Sequence, residues 1–280
     1  MQIKFWGTRG SIPSPGRDTI LYGGNTTCLE LRLERGRRII IDAGSGIRAA
    51  GEELIKNGIK EIYLFITHIH WDHIMGFPFF NLIYDPTCKI IVDGYPSCMK
   101  GLRYTFDTKM GDGFFPITFD QLKAKIVFED RLRDGPLEID DTIIDRIPLK
   151  HPQGGYGFKF IEGDKKIVFL TDNELRENAL KKDEMERYKK FCEGVDILIH
   201  DSQYTPEELE EKKGWGHSDF VSVTRFALDA GVKRLILFHH DPSRKDHEIE
   251  GIEEKCRAII KGHASDMKLE AAKEGYEIIL

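Results

Sequence analysis

Three of the ten histidines fall within six residues, in His68-Ile69-His70-Trp71-Asp72-His73, directly after the apolar run at residues 61–67. That run reads as a strand, and beyond its end His68 and His70, two residues apart, face the same side. Asp72 and His73 follow where the chain must turn. One short stretch can thus aim two imidazoles at one ion and a carboxylate plus an imidazole at a second. Such donors suit zinc, manganese or iron(II). The stretch is therefore read as one half of a two-metal site that activates water in a hydrolase, in preference to three unrelated surface histidines.

Strands must position these donors. Short β-type runs recur at residues 28–33, 38–42, 61–67, 89–92, 143–148, 157–161, 166–170, 196–200 and 234–238. Several are continuously apolar, the pattern of strands covered on both faces. Helical spacing falls between them at 47–57, 174–193, 206–213, 219–230 and 247–261. Mixed in this way, the elements predict sheets with helices on their outer faces. Residues 93–120 are rich in Gly, Pro and aromatics and lack periodicity. They read either as an irregular surface excursion or as a flap over the site.

The 280 residues, 40% apolar and 31% charged, have the make-up of a globular protein, with no internal repeat or linker to divide them. No apolar run approaches the roughly 20 residues that cross a bilayer. The first seven residues lack the pattern of a signal peptide, and a cytoplasmic location is expected. Five dispersed cysteines without a CxxC pair suggest reduced thiols rather than a disulfide framework or a thiolate metal site. The net charge of −6 argues against a broad nucleic-acid surface but not against a small phosphate-bearing substrate.

Residues 67–73 resemble the HxHxDH signature of the metallo-β-lactamase superfamily. The resemblance implies an α/β fold, a four-layer αββα sandwich forming a single domain over residues 1–280, with the metals at one edge. Asp42, in Ile40-Ile41-Asp42-Ala43-Gly44, resembles the aspartate that orients the ligand histidines. His151 resembles the third histidine of the first metal, Asp172 the bridging carboxylate and His239 the last histidine of the second metal. His239 and His240 would point in opposite directions at a strand end, so one of them reaches the metal, and His239 is favoured. Two divalent ions are implied, zinc first, with manganese or iron as alternatives. In the expected chemistry a hydroxide held between the ions attacks the substrate, and Asp72, besides being a ligand, relays its proton.

The second half of the chain resembles the tRNase Z branch. Gly216-His217-Ser218 matches that branch's histidine beside the scissile phosphate. Asp201, in Asp196-Ile197-Leu198-Ile199-His200-Asp201, stands where the branch has Glu, and Arg9, in Gly7-Thr8-Arg9-Gly10-Ser11, replaces a glycine. Ser218 and Asp219 read as N-cap residues of the following helix, whose N-terminus attracts phosphate. There His217 can donate a proton to a leaving oxygen. Arg9 can pair with a phosphate oxygen or mark a structural turn with an exposed arginine, and Asp201 is expected behind the ligands. Tyr22–Thr27 is a polar loop or an ordinary turn.

The branch's basic tRNA-gripping arm has no counterpart, since residues 111–116 are short and lack a Lys/Arg cluster. The resemblance is closer to the branch's small phosphodiesterases. The leading expectation is a phosphodiesterase acting on a small nucleotide or cyclic phosphate, followed by a tRNA or RNA nuclease. Third comes a thioester or carboxy-ester hydrolase, and a non-catalytic metal scaffold or sensor is the alternative from another class. A small phosphate-containing substrate is the expected partner, with no membrane contact. The stretches at 247–261 and 275–280 are expected in the core, with a homodimer surface as the alternative.

Overall fold

Two seven-stranded sheets stack face to face in the computed structural model, which describes residues 1–110, 115–176 and 180–280. The first sheet takes β1 (Gln2–Gly7), β2 (Cys28–Arg32), β3 (Arg38–Ile41), β4 (Glu61–Ile66), β5 (Lys89–Gly94) and β6 (Lys125–Phe128). The second takes β7 (Leu137–Ile139), β8 (Thr142–Pro148), β9 (Tyr156–Glu162), β10 (Lys165–Leu170), β11 (Ile197–Asp201), β12 (Arg234–Phe238) and β13 (Lys268–Ala271). The last strand, β14 (Glu277–Ile279), returns to pair antiparallel with β1. In each sheet four consecutive strands out to one edge run parallel, β3 to β6 in one and β10 to β13 in the other, and the remaining pairings are antiparallel.

The continuous apolar runs follow from burial on both faces. In β10, Ile167 and Phe169 face the other sheet while Val168 and Leu170 face helices. In β3, Ile39 and Ile41 face inward and Ile40 outward. The middle core therefore comes from both sheets, with Phe5, Leu31 and Phe65 against Phe158, Phe169 and Phe238. On the outer face of the first sheet lie α1 (Ile47–Lys56), which buries Ile47, Ala50 and Leu54, and the region of α3 (Pro96–Thr105), which buries Leu102. The short helix α2 (Trp71–Ile74) follows β4, and α4 (Arg131–Asp134) precedes β7. Outside the second sheet lie α5 (Lys182–Cys192), α7 (Phe220–Asp229) and α8 (Asp246–Gly262), with α6 (Pro206–Glu211) before α7. This is the expected αββα sandwich.

Several details differ from the sequence reading. Residues 93–120 are not irregular throughout: Pro96 opens α3 at a position where its missing N–H is harmless, and a 3₁₀ turn lies at Phe119–Gln121. Gly111-Asp112-Gly113-Phe114 lie outside the described residues, and Phe115 packs edge-on against Phe79 and Phe106. Of the helix expected at 174–193, Lys182–Cys192 form α5, residues 177–179 lie outside the described residues, and residues 174–176 are not helical. Glu174 is instead held by tertiary partners, its N–H donating to the Lys150 carbonyl and its carboxylate accepting the N–H groups of Gly214 and Gly216. Strands β1, β6, β7, β13 and β14 were not expected; most are short or alternate with charged residues. The apolar face of α8 and Ile278 lie in the core, while Ile279 is exposed. Cys28, Cys88, Cys192 and Cys256 are buried free thiols. Among the described residues no helix is long and apolar enough to cross a membrane.

Candidate metal centre

The two groups of parallel strands end at the same edge of the sandwich, the edge where α/β sheets present ligands. Chain reversals there are sharp. Ser11, Asp42, Gln153, Asp172 and His239 all have positive φ, between 48° and 63°. Only Asp140 and Ala264 share this among the other described non-glycine residues. The left-handed conformation is costly for residues with a Cβ, and such strain gathers at functional sites. Here it turns Asp42, Asp172 and His239 off the ends of β3, β10 and β12.

The donors form two groups joined by one carboxylate. His68, His70, His151 and Asp172 place one donor atom each within 4.8 Å of one another, and so do Asp72, His73, Asp172 and His239. Asp172 Oδ2 lies 3.5 Å from His68 Nε2 and 3.8 Å from His151 Nε2. Its Oδ1 lies 3.2 Å from both His73 Nε2 and His239 Nε2. The structure thus brings all seven expected ligand residues together, with Asp172 facing both groups. His240 turns away, its Nε2 on the Ala272 carbonyl at 2.9 Å, as opposite-facing neighbours require.

Hydrogen bonds behind the donors set their orientation. Thr67 donates its hydroxyl proton to Asp42 (2.8 Å) and faces His68 Nδ1 at 3.0 Å, while Asp42 Oδ2 meets His73 Nδ1 at 2.8 Å. His239 Nδ1 faces Gln203 Oε1 at 3.0 Å, and His151 Nδ1 faces the Gly216 carbonyl at 3.1 Å. With each Nδ1–H so engaged, each Nε2 keeps its lone pair for the cluster. His70 is reversed: Nε2 sits on Gln153 Oε1 at 2.5 Å, and Nδ1 faces His151 Nε2 at 2.9 Å. The buried Nε2 atoms of His68 and His73 have no hydrogen-bond partner in the protein, a costly arrangement that a cation removes. The donor set fits two divalent ions.

The charges within the cluster pull strongly on one another. Burial, with neighbouring His73, drives His68 well below the usual histidine range. Burial also opposes charge on Asp172, but His239, His73 and His68 hold it well below the usual carboxylate range. Burial pulls His151 down to about 4, against the attraction of Asp172.

His217 stands at the rim of the cluster, its ring stacked on His239 with centroids 5.0 Å apart. Its Nδ1 meets Asp201 Oδ2 at 2.8 Å, leaving Nε2 as its other ring nitrogen. Burial lowers its pKa, yet Asp201, then Asp172 and Asp72, raise it to about 9. Asp201 therefore supports His217. Asp219 caps α7 by accepting the N–H groups of Val221 and Ser222; Ser218 instead accepts the N–H of Leu175.

Arg9 corrects the sequence reading in both its forms. It is fully buried, and its guanidinium donates to the carbonyls of Gly23 (2.7 Å), Asp241 (3.1 Å) and Arg244 (2.6 Å). It clamps loops together and presents no exposed surface. Tyr22–Thr27 is structural too, Thr26 and Ser45 exchanging hydrogen bonds beneath the Asp42 turn. Sequence reasoning missed Thr67, Gln153, Gln203, Glu174 and the Ser11 amide, which donates to Asp72 Oδ2 at 2.7 Å. Of these, Thr67 alone carried a signal, being adjacent to the histidine cluster.

A family model for the beta-lactamase superfamily domain matches residues 37–240, and the chain belongs to that superfamily. It is a metal-dependent hydrolase. Ribonuclease Z of Lacticaseibacillus casei (strain BL23) is 26% identical, over 92% of this chain and 91% of its own. Among solved structures, a diphosphatase of the PhnP family aligns with a TM-score of 0.68 at 16% identity, covering 100% of this chain and 97% of its own. The short form of human tRNase Z aligns with a TM-score of 0.63 at 21% identity, covering 100% and 99%.

Proposed function

We propose that the chain is a two-metal phosphodiesterase acting on a small nucleotide or cyclic phosphate. The observation that carries this reading is the Asp201–His217 pair set against the ligand cluster. His68, His70 and His151 would hold one ion and Asp72, His73 and His239 the other, with Asp172 shared. Bound there, two divalent ions, zinc first, supply Lewis-acid polarisation of the phosphoryl oxygens and an activated water.

The chain's own groups supply proton transfer and position. His217, kept protonated by Asp201, offers a proton to the departing alkoxide, which leaves poorly without one. A thioester has less need of that acid, since a thiolate leaves readily. Asp72, whose Oδ2 accepts the Ser11 amide and faces His73 and His239 Nε2, is held in place to relay the proton of the attacking water. The Asp42–Thr67, Gln203 and Gly216 contacts fix the ring orientations.

A tRNA nuclease is the second reading, favoured by the nearly full-length likeness to ribonuclease Z. The net charge of −6 and the lack of a basic arm in the sequence favour a small substrate. Protein loaded with zinc, manganese or iron is to be tested on bis(p-nitrophenyl) phosphate, cyclic nucleotides, a thioester and a precursor tRNA at rising salt. Phosphodiester turnover with weak salt dependence is expected. Its absence with all three metals overturns the reaction, and steeply salt-sensitive tRNA cleavage overturns the substrate class.

A further inference from the structure

Two of the three tryptophans stand in solvent beside the metal centre. Trp71 lies between His70 and Asp72 and is 49% exposed; Trp215 precedes Gly216 and His217 and is 60% exposed. Indole in water forgoes the burial that its apolar surface favours, so exposed pairs at a site call for an occupant. Trp6 shows the contrast: its Nε1 donates to Glu30 at 3.0 Å, and the Lys4 ammonium lies 4.3 Å from its ring. Among the described residues neither Trp71 nor Trp215 has a ring packed on it or a partner for its indole N–H.

The residues next to both tryptophans meet on one side of the centre. His70 Nδ1 lies 2.9 Å from His151 Nε2, and His151 Nδ1 is 3.1 Å from the Gly216 carbonyl. That short chain of contacts runs from the neighbour of Trp71 to the neighbour of Trp215. The Trp215 turn is built rather than loose. Buried Glu174 accepts the N–H groups of Gly214 (2.9 Å) and Gly216 (3.3 Å) with one oxygen and pairs with Arg176 through the other. Gly216 has φ +87°, and a Cβ there would sit 2.0 Å from His151 Nδ1, so the turn lies directly on the ligand.

We propose that Trp71 and Trp215 form an aromatic platform that stacks the base of a nucleotide whose phosphate sits at the metal centre. This rests on the phosphodiester reading above and specifies its substrate. A flat π-face is what every nucleobase offers, and stacking tolerates any of them. The turn that carries Trp215 is fixed by Glu174, and Trp71 sits within the ligand run itself, which limits the backbone entropy lost on stacking.

The test uses metal-loaded protein and its own fluorescence, with AMP, ribose 5-phosphate, hexyl phosphate and inorganic phosphate as probes. AMP is expected to quench tryptophan emission and to bind tighter than the other three. Trp71→Ala or Trp215→Ala is expected to weaken AMP by about 5- to 100-fold while leaving ribose 5-phosphate affinity and metal content unchanged. The Phe variants are expected to recover most of the affinity, since a phenyl ring still stacks. Equal binding of AMP and ribose 5-phosphate, or Ala variants that bind AMP normally, overturns the platform; hexyl phosphate binding as tightly as AMP assigns the surface to an apolar chain and overturns it too. Base-dependent quenching without phosphodiester turnover leaves the platform standing and removes the proposed reaction. Turnover with unaffected Ala variants does the reverse.

Discussion

Replacing Asp42 by Asn tests the orientation logic with almost no change of shape. Asp42 is fully buried at φ 61°, a conformation that Asn tolerates well. Burial raises its pKa in spite of His73, so a neutral amide does not offend the surroundings. What changes is one atom's hydrogen-bonding character. Oδ1 accepts the Thr67 backbone N–H at 2.8 Å and Oδ2 faces His73 Nδ1 at 2.8 Å. An amide offers only one acceptor oxygen. If it stays on Thr67, the NH₂ meets His73 Nδ1 and forces that ring's proton onto Nε2, the atom facing Asp72 and Asp172. If it turns to His73, the NH₂ opposes the Thr67 N–H. Partners of this kind are worth about 10- to 100-fold in metal affinity, or about 1.4–2.8 kcal/mol. Competition with a chromophoric chelator should show the His73 ion weakened by that factor and the His68 ion less affected, because Thr67 stands between His68 and Asp42. The metal-free variant should unfold at the wild-type denaturant midpoint. Wild-type affinity for both ions in Asp42→Asn would refute the reasoning.

Other substitutions probe the remaining supports. Gln203→Leu removes the acceptor for His239 Nδ1 and leaves a buried N–H unpaired, at a cost of about 1–3 kcal/mol; metal titration should show the His239 ion weakened selectively. His217, raised to about 9 against an ordinary 6.5, binds its proton more tightly folded than unfolded. Its contribution to stability is therefore complete below about pH 6.5 and lost as pH rises through about 9. In metal-loaded protein the ions offset the pull of Asp172 and Asp72 while Asp201 keeps its own, so turnover should decline along an alkaline limb below that value, and Asp201→Asn should shift the limb to still lower pH in a pH–rate profile; an unmoved limb assigns it to another group. Arg9→Ala empties a buried clamp on three carbonyls and should destabilise by roughly 3 kcal/mol or more in urea unfolding, with KM unchanged in the folded fraction. A raised KM there would reinstate Arg9 as a substrate contact.

The histidine run was legible because metal ligation demands particular side chains at short spacing, and the strand before it because burial on both faces excludes polar residues. Strand alternation allowed only one of His239 and His240 to reach the cluster, and the family resemblance favoured His239. The supports were not legible. Gln203 meets His239 across 36 residues, Glu174 meets Gly216 across 42, and Ser11 acts through a backbone amide that every residue but proline carries. Arg9 misled because a guanidinium that satisfies carbonyls looks, in sequence, like one awaiting a phosphate. Near Asn173 and Glu174 the apolar spacing suggested a helix, while tertiary partners had already claimed the backbone. The short strands β6, β7 and β14 depend on their neighbours for hydrogen bonds and contain too few residues to announce a period.

Neither sheet owns the metal centre. His68, His70, Asp72 and His73 come from the end of the first sheet, and His151, Asp172 and His239 from loops of the second. An ion bound in either group would span the seam between the two halves, acting as a rivet at the open edge of a sandwich whose interior is joined by apolar contact. Affinity then becomes a gauge of how the halves are seated. A repacking deep in the seam, for example at Phe65 against Phe158 (5.7 Å between ring centroids), would slide the donor sets past one another and register as loosened metal, although it touches no ligand. Conversely, loading the ions should tighten the seam along its length, an effect open to hydrogen exchange at the amides of β4 and β10.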